Sequence, residues 1–193
     1  MQLSPRLVLA LHGLEALHPR ISDEIVCLFR HEFEPIVQSA GRSLTISLRP
    51  TTNGDLDLLF DARADFRPVR KCGFVILGEA SGAVMIEAHR ALAGCTTDPR
   101  TQRILRRRVL TYDVLLGRAL FNTAMHELGH IVAALPDISD PGNYMVSGDP
   151  PVPMRTRSGR REFSAGPKRF TEEQRRRMVE QIQLGTWLYG GED

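Results

Sequence analysis

Apolar residues recur at helical spacing in some stretches of this chain and alternate with polar ones in others. Ile25, Val26, Phe29, Phe33, Ile36 and Val37 fall on one face of a helix that runs up to Gly41. Ser22-Asp23-Glu24 offers a capping hydroxyl and a first turn of acids, so the helix is expected to start there. Leu44, Ile46 and Leu48 alternate before Pro50, the pattern of a half-buried strand. Thr51-Thr52-Asn53-Gly54 is turn chemistry, and Leu56–Phe60 reads as a second strand. Phe74–Leu77 reads as a third and Ala83–Ala88 as a fourth; only Gly78–Gly82 separates them, which predicts an antiparallel hairpin. The helical pattern returns from Thr101. Thr111 can cap a helix whose apolar positions run through Val114, Leu115, Ala119, Leu120, Met125, Leu128, Ile131, Val132 and Leu135. Residues 136–167, rich in Gly, Pro, Ser and Arg, read as loop. Thr171-Glu172-Glu173-Gln174 has the capping-box form and predicts a last helix reaching Trp187 or Leu188, within a C-terminal segment 168–189. The order is α+β in one domain spanning residues 1–193.

Composition narrows the class without changing that picture. A chain of 193 residues, 42% hydrophobic and 25% charged, is the size and make-up of one ordinary globular domain. No apolar run approaches the ~18 residues of a membrane helix, and no membrane partner is expected. Residues 1–20 carry Arg6 ahead of a short apolar run, but His12 and Glu15 interrupt it and no small-x-small cleavage pattern follows. They read as an amphipathic segment packed on the domain rather than a leader, which by itself favours the cytoplasm. The net charge of +2 implies no nucleic-acid partner. Of the 25 cationic residues only Lys71 and Lys168 are lysines, a bias read as codon usage. Arg155, Arg157, Arg160, Arg161, Lys168, Arg169 and Arg175–Arg177 make the C-terminal third basic. A solvated face is expected there, with anion contact as the other option. Cys27, Cys72 and Cys95 are too far apart for a metal knuckle. They are expected as three buried thiols, the alternative being one bridge and a free thiol.

The candidate chemistry lies in His126-Glu127-Leu128-Gly129-His130. Four residues advance a helix by about 400°, so His126 and His130 project from one face a turn apart. Two neutral imidazoles there can bind one Zn²⁺ and leave positions open for a third ligand and a water. Glu127, beside the first ligand, is placed to take a proton from that water. The bland alternative is a pair of histidines satisfied on a buried helix. His31-Glu32 opens a second such pair, but no histidine follows four residues on, and a helix face is expected. His89, at the end of the fourth strand, reads as a surface histidine.

The run HELGHIVAALPDISDPGNYM resembles the active-site segment of the metzincin zinc endopeptidases, within them the matrixins and the small snapalysin-like bacterial enzymes. The resemblance is specific over residues 121–145 and loose elsewhere; Phe170 through Gly190 looks like the helix that closes a matrixin catalytic domain. It implies a single-domain fold with a mixed twisted sheet, an active-site helix and a C-terminal helix. It also implies one catalytic zinc ion, a peptide or protein substrate, a monomer, and secretion. Met145 would then lie in a turn beneath the metal, and the loop after it, within 136–167, would wall the specificity pocket. The fourth strand would hold the substrate by strand addition. The third ligand falls on Asp137, with Asp140 as the other candidate.

Two features depart from the family pattern. Its helix-ending glycine falls on Ala133, and Asp137 lies seven residues after His130 where the family has six. A continued helix would carry Asp137 about 10.5 Å onward, out of reach of a shared metal. The chain must therefore turn back. Pro136 disfavours helical geometry at Leu135, and the extra residue is expected to supply the freedom that glycine normally gives. Arg70-Lys71-Cys72-Gly73 is similar to the matrixin cysteine switch, but only 53 residues separate Cys72 from His126 and a strand is expected there instead. Two rivals stay open. One is a metzincin-fold binding protein without turnover that uses the basic C-terminal surface. The other is a gluzincin, with Glu172, Glu173 or Glu180 as third ligand.

Overall fold

The computed structural model describes residues 4–48, 50, 54–61, 72–76, 112–146 and 156–187. One of the two inner strands of its sheet comes from residues expected as an amphipathic segment packed on the domain. Arg6–His12 forms β1, bonded on both sides. Its run Leu7-Val8-Leu9-Ala10-Leu11 is apolar throughout because a central parallel strand is covered on both faces and loses its alternation. Ser43–Ser47 forms β2, Leu56–Asp61 forms β3 and Cys72–Ile76 forms β4, in the spatial order β2-β1-β3-β4. Leu7 pairs with Leu44, Leu9 with Leu56, and Leu58 with Gly73.

All these pairings are parallel, so the described part of the sheet is not mixed. The strand expected to run antiparallel, 83–88, lies outside the described residues, as do Thr111, His89, Lys71, Cys95 and Arg155. The chain is thus a mixture of helices with a small parallel sheet.

One long helix crosses from β1 to β2. It comprises α1, Pro19–Leu28, a π-helical stretch Phe29–Phe33, and α2, Glu34–Ser39. It starts three residues before Ser22: His18 is the N-cap, Pro19 holds the first position, and Ser22 Oγ donates to Leu14 C=O at 3.1 Å. A first-turn proline fits because its missing N–H would have had no helical partner. The π stretch has a comparable cause. Pro35 has no N–H for the carbonyl four residues back, and the ladder ahead of it widens so that Glu34 N–H meets Phe29 C=O.

Tyr112–Ala133 forms α3, packed against α1 and β4. Arg157–Ala165, expected as loop, forms α4 with Thr156 as N-cap. Asn122 Nδ2 on α3 donates to Ser164 and Gly166 carbonyls beside it. Glu172–Leu184 forms α5, whose Thr171/Gln174 capping box is present in full; it stops at Gly185 in the left-handed region, short of Trp187.

Leu7, Leu9, Leu11, Leu56, Leu58 and Phe60 turn one sheet face into a core with Ile25, Phe29, Phe33, Leu120, Phe121 and Leu128. Buried Arg42 fastens this layer: it donates to Arg6 C=O on β1 at 2.7 Å and to Ile182 C=O on α5 at 3.5 Å. Cys27, expected buried, is exposed and free. Among the described residues no helix is long and apolar enough to cross a membrane.

If β1 is an inner strand of the sheet, Leu9→Ala removes a fully buried side chain and should lower the unfolding free energy by about 2–5 kcal/mol in urea titration. A change within about 0.5 kcal/mol, typical of surface sites, would place residues 6–12 at the periphery.

Candidate metal centre

The last turns of α3 carry His126 and His130, and the chain then reverses sharply. Ala133 is the last helical residue, and its carbonyl accepts Arg177 Nη2 of α5 at 3.0 Å. Ala134 has φ +44°, the only positive φ outside glycine among the described residues. Its N–H bonds His130 C=O at 3.0 Å, and the next N–H, from Leu135, reaches Gly129 C=O at 3.2 Å. This is a left-handed helix cap made by an alanine. The turn therefore comes one residue later than the motif alignment expects, at Ala134 and not Ala133. Asp137 follows the turning residue by three positions, as the third ligand follows glycine in the family pattern. The additional residue is spent inside the helix and supplies no slack; Ala134 takes the strained conformation itself.

Beyond Asp137 a compact turn folds back under the helix. Asp140 Oδ1 accepts Gly142 N–H at 2.9 Å, so this aspartate caps the turn. Ile138 N–H donates to Met145 C=O at 2.9 Å. Lys168 Nζ donates to Pro141 C=O at 2.7 Å and lies 4.7 Å above the Phe163 ring. Burial holds its ammonium down to about 8, with Asp140 pulling the other way. Met145 is fully buried and its Sδ fills the space that a Cβ on Gly129 would need. The Tyr144 ring, wedged between Phe121 and Phe170 at 6.0 and 4.9 Å, is buried, which raises its hydroxyl's pKa.

This turn fixes the first imidazole. His126 Nδ1 lies 3.0 Å from Tyr144 C=O, and a carbonyl can only accept, so Nδ1 carries the proton. In the neutral ring Nε2 is then a bare lone pair. Burial, and next the neighbouring His130, lower the pKa of His126, against the pull of the Tyr144 bond. The shift favours the neutral ring, the form in which imidazole binds metal.

The lone pair points at two further donors. His126 Nε2 lies 3.0 Å from His130 Nε2 and 3.4 Å from Asp137 Oδ1, and His130 Nε2 lies 3.3 Å from the same oxygen. Two zinc ligands at about 2.0–2.2 Å in tetrahedral geometry are separated by about 3.3–3.6 Å. The triangle thus has nearly the dimensions of one face of such a site, and two imidazoles with a carboxylate are an ordinary zinc donor set. His126, His130 and Asp137 are the single group of this kind among the described residues. Side-chain exposure rises from 18% at His126 to 48% at Asp137, so the triangle is more covered on the His126 side and open on the other. Glu127 is half-buried on the same helix.

The other candidates lie apart. Glu173 and Glu180 hold Arg176 at 2.7 and 2.8 Å on the exposed face of α5, and Glu172 is exposed. His31 is exposed beside Glu32 at 3.8 Å. A cavity of about 500 Å³ walled by Ile36, Met125, Tyr144 and Phe170 takes none of the three donors into its lining. Gly129, Ala134 and the Tyr144 carbonyl are contributions that motif reading passes over. Gly129 alone has a sequence signal, since glycine inside a helix costs about 1 kcal/mol and marks a close approach. Comparison with family models, curated proteins and solved structures finds no match for this chain.

The position of the turn can be read from two glycine substitutions. Ala134→Gly relieves a left-handed alanine and should raise stability by about 0.5–1 kcal/mol, net of the added freedom of the unfolded chain. Ala133→Gly, inside the helix and buried, should lower it by about 1 kcal/mol. Thermal or urea denaturation with the opposite ranking would move the turn back to Ala133.

Proposed function

We propose that this chain is a zinc-dependent endopeptidase of the metzincin kind. The observation that carries the reading is the convergence of three donors, with the His126 lone pair aimed by the Tyr144 carbonyl. The element order supports it: a sheet, a long helix bearing both histidines, a left-handed exit, a turn carrying buried Met145, and a closing helix. His126, His130 and Asp137 would hold the ion. When bound, zinc supplies a Lewis acid that polarises the scissile carbonyl and makes water more acidic.

The chain's own residues do the rest. Glu127 takes a proton from the attacking water and delivers it to the leaving amine. Tyr144 C=O keeps His126 in the tautomer that leaves Nε2 free. Met145 forms an apolar floor under the histidine pair by filling the notch at Gly129. The covered and open sides of the triangle suit water and substrate approaching past Asp137.

A proton on His130 Nε2 could close the same triangle as a hydrogen bond, so metal content decides between the two. Purified from zinc-containing medium, the protein should carry close to one zinc per chain, and His126→Ala or His130→Ala should lose it. Asp137→Ala should weaken zinc binding far more than Asp140→Ala, whose carboxylate only caps the turn. A metal-free wild type, or the reverse ranking of the two aspartates, would sink this assignment.

Glu127 separates turnover from a binding role. Glu127→Ala should keep its zinc and lose peptide-bond cleavage by about 10²–10⁴-fold. Cleavage equal to wild type in the purified variant would take the role of base away from Glu127.

A further inference from the structure

Asn143 immediately precedes Tyr144 and is only 2% exposed, yet each of its polar atoms is engaged. Its N–H donates to Asp140 C=O at 3.1 Å and its C=O accepts Val146 N–H at 3.3 Å. In the side chain, Oδ1 accepts Met145 N–H at 2.8 Å and Nδ2 donates to Gln174 Oε1 at 2.8 Å. Together these two bonds fix which way the amide faces, because a flipped amide would set N–H against N–H and oxygen against oxygen. Gln174 Oε1 also accepts Thr171 N–H at 2.9 Å, closing the capping box of α5. One oxygen thus serves both a helix start and the turn beneath the histidines.

A capping box needs Gln174 only as an acceptor for the backbone of Thr171. The second bond is additional and leads elsewhere. Asn143 and Met145 flank Tyr144, whose carbonyl is the partner of His126 Nδ1. We propose that Gln174 is a positioning residue for the metal centre, acting through Asn143 on the Tyr144 carbonyl and so on the His126 ring; this rests on the zinc reading given above. Without the acceptor, Asn143 Nδ2 is buried and unpaired, a state that costs enough to drive the amide into another rotamer. Rotation releases Met145 N–H, and the carbonyl between them loses its aim. Removing an outer partner of a ligating histidine weakens metal binding by about 10–100-fold. Gln174 acts through two further bonds, so the lower end, about 10-fold, is expected.

The test separates capping from positioning. Zinc affinity is measured by competition with a chromophoric chelator, and ligand geometry by the cobalt(II) absorption spectrum. Thr171→Ala removes the capping hydroxyl and leaves Gln174 on Asn143; it should lower thermal stability with unchanged zinc affinity and cobalt spectrum. Gln174→Met should weaken zinc binding about 10-fold and alter the cobalt spectrum. Gln174→Ala, a strong helix former, should do the same and serves if the methionine variant does not fold. Gln174→Glu keeps the acceptor oxygen and should stay within about two-fold of wild type. In a double-mutant cycle, adding Gln174→Met to Asn143→Ser should cost zinc affinity nothing beyond Asn143→Ser alone, because the route is already cut.

Wild-type zinc affinity in both Gln174→Met and Gln174→Ala, with only the stability loss of Thr171→Ala, would overturn the positioning role and leave a helix cap. So would additive losses in the cycle. A wild type that takes up neither zinc nor cobalt would overturn the zinc reading itself, a different result from either.

Discussion

The centre depends on a side chain that is missing. Gly129 sits between the two histidines, and the space a Cβ would occupy holds the thioether of Met145, fully buried. Because the turn can rise that close to the helix, the carbonyl one residue before Met145 comes within 3.0 Å of His126 Nδ1. A methyl group at 129 would require that thioether to move. The glycine forfeits about 1 kcal/mol of helix propensity. In exchange, the Met145 sulfur packs against the helix backbone with no side chain between.

From this contact the rest of the geometry follows in sequence. The turn fixes Tyr144, the Tyr144 carbonyl fixes a proton on Nδ1, and the proton leaves the Nε2 lone pair free beside His130 and Asp137. Asp137 arrives there because Ala134 turns left-handed, a conformation that alanine enters at a cost of about 1–2 kcal/mol. One tertiary and one local contact hold it: Arg177 binds the carbonyl of Ala133, and Leu135 bonds back to Gly129 within the cap. Strain at the exit and close approach at the notch serve a single end, bringing a carboxylate back to a helix it has already left.

The spacing of His126 and His130, the return of the chain at Asp137 and the capping box at Thr171 are all legible in the sequence, because each rests on local rules of helix period and turn chemistry. β2 and β3 are legible for the same reason, with alternating or bounded apolar runs. What is not legible depends on partners far away in the chain. β1 loses its alternation by being central. The helix start at Pro19 competes with an equally plausible cap at Ser22, and Leu14 settles the competition by taking the Ser22 hydroxyl. α4 is arginine-rich, and what ties it down is Asn122 on another helix, over forty residues earlier. At Ala134 the residue type argues against the conformation it adopts, so no local rule would select it over Ala133.

The pairing of Asn143 with Arg169, and of Tyr144 with Phe170, also sets an order in time. When α3 has just been synthesised, both imidazoles exist, but the carbonyl that selects the His126 tautomer is not yet held. Gly142 C=O waits for Arg169 N–H, and the Tyr144 ring waits for Phe170 to close over it. These contacts join chain segments more than twenty residues apart, and such closures follow the local ones. On the ribosome the contacts that close over this turn can therefore form only after residues 169–174 are made, later than the helix that carries the histidines can form. Before residues 169–174 are made, the Gly142 carbonyl, the Tyr144 ring and the Asn143 amide all lack the partners that hold this turn.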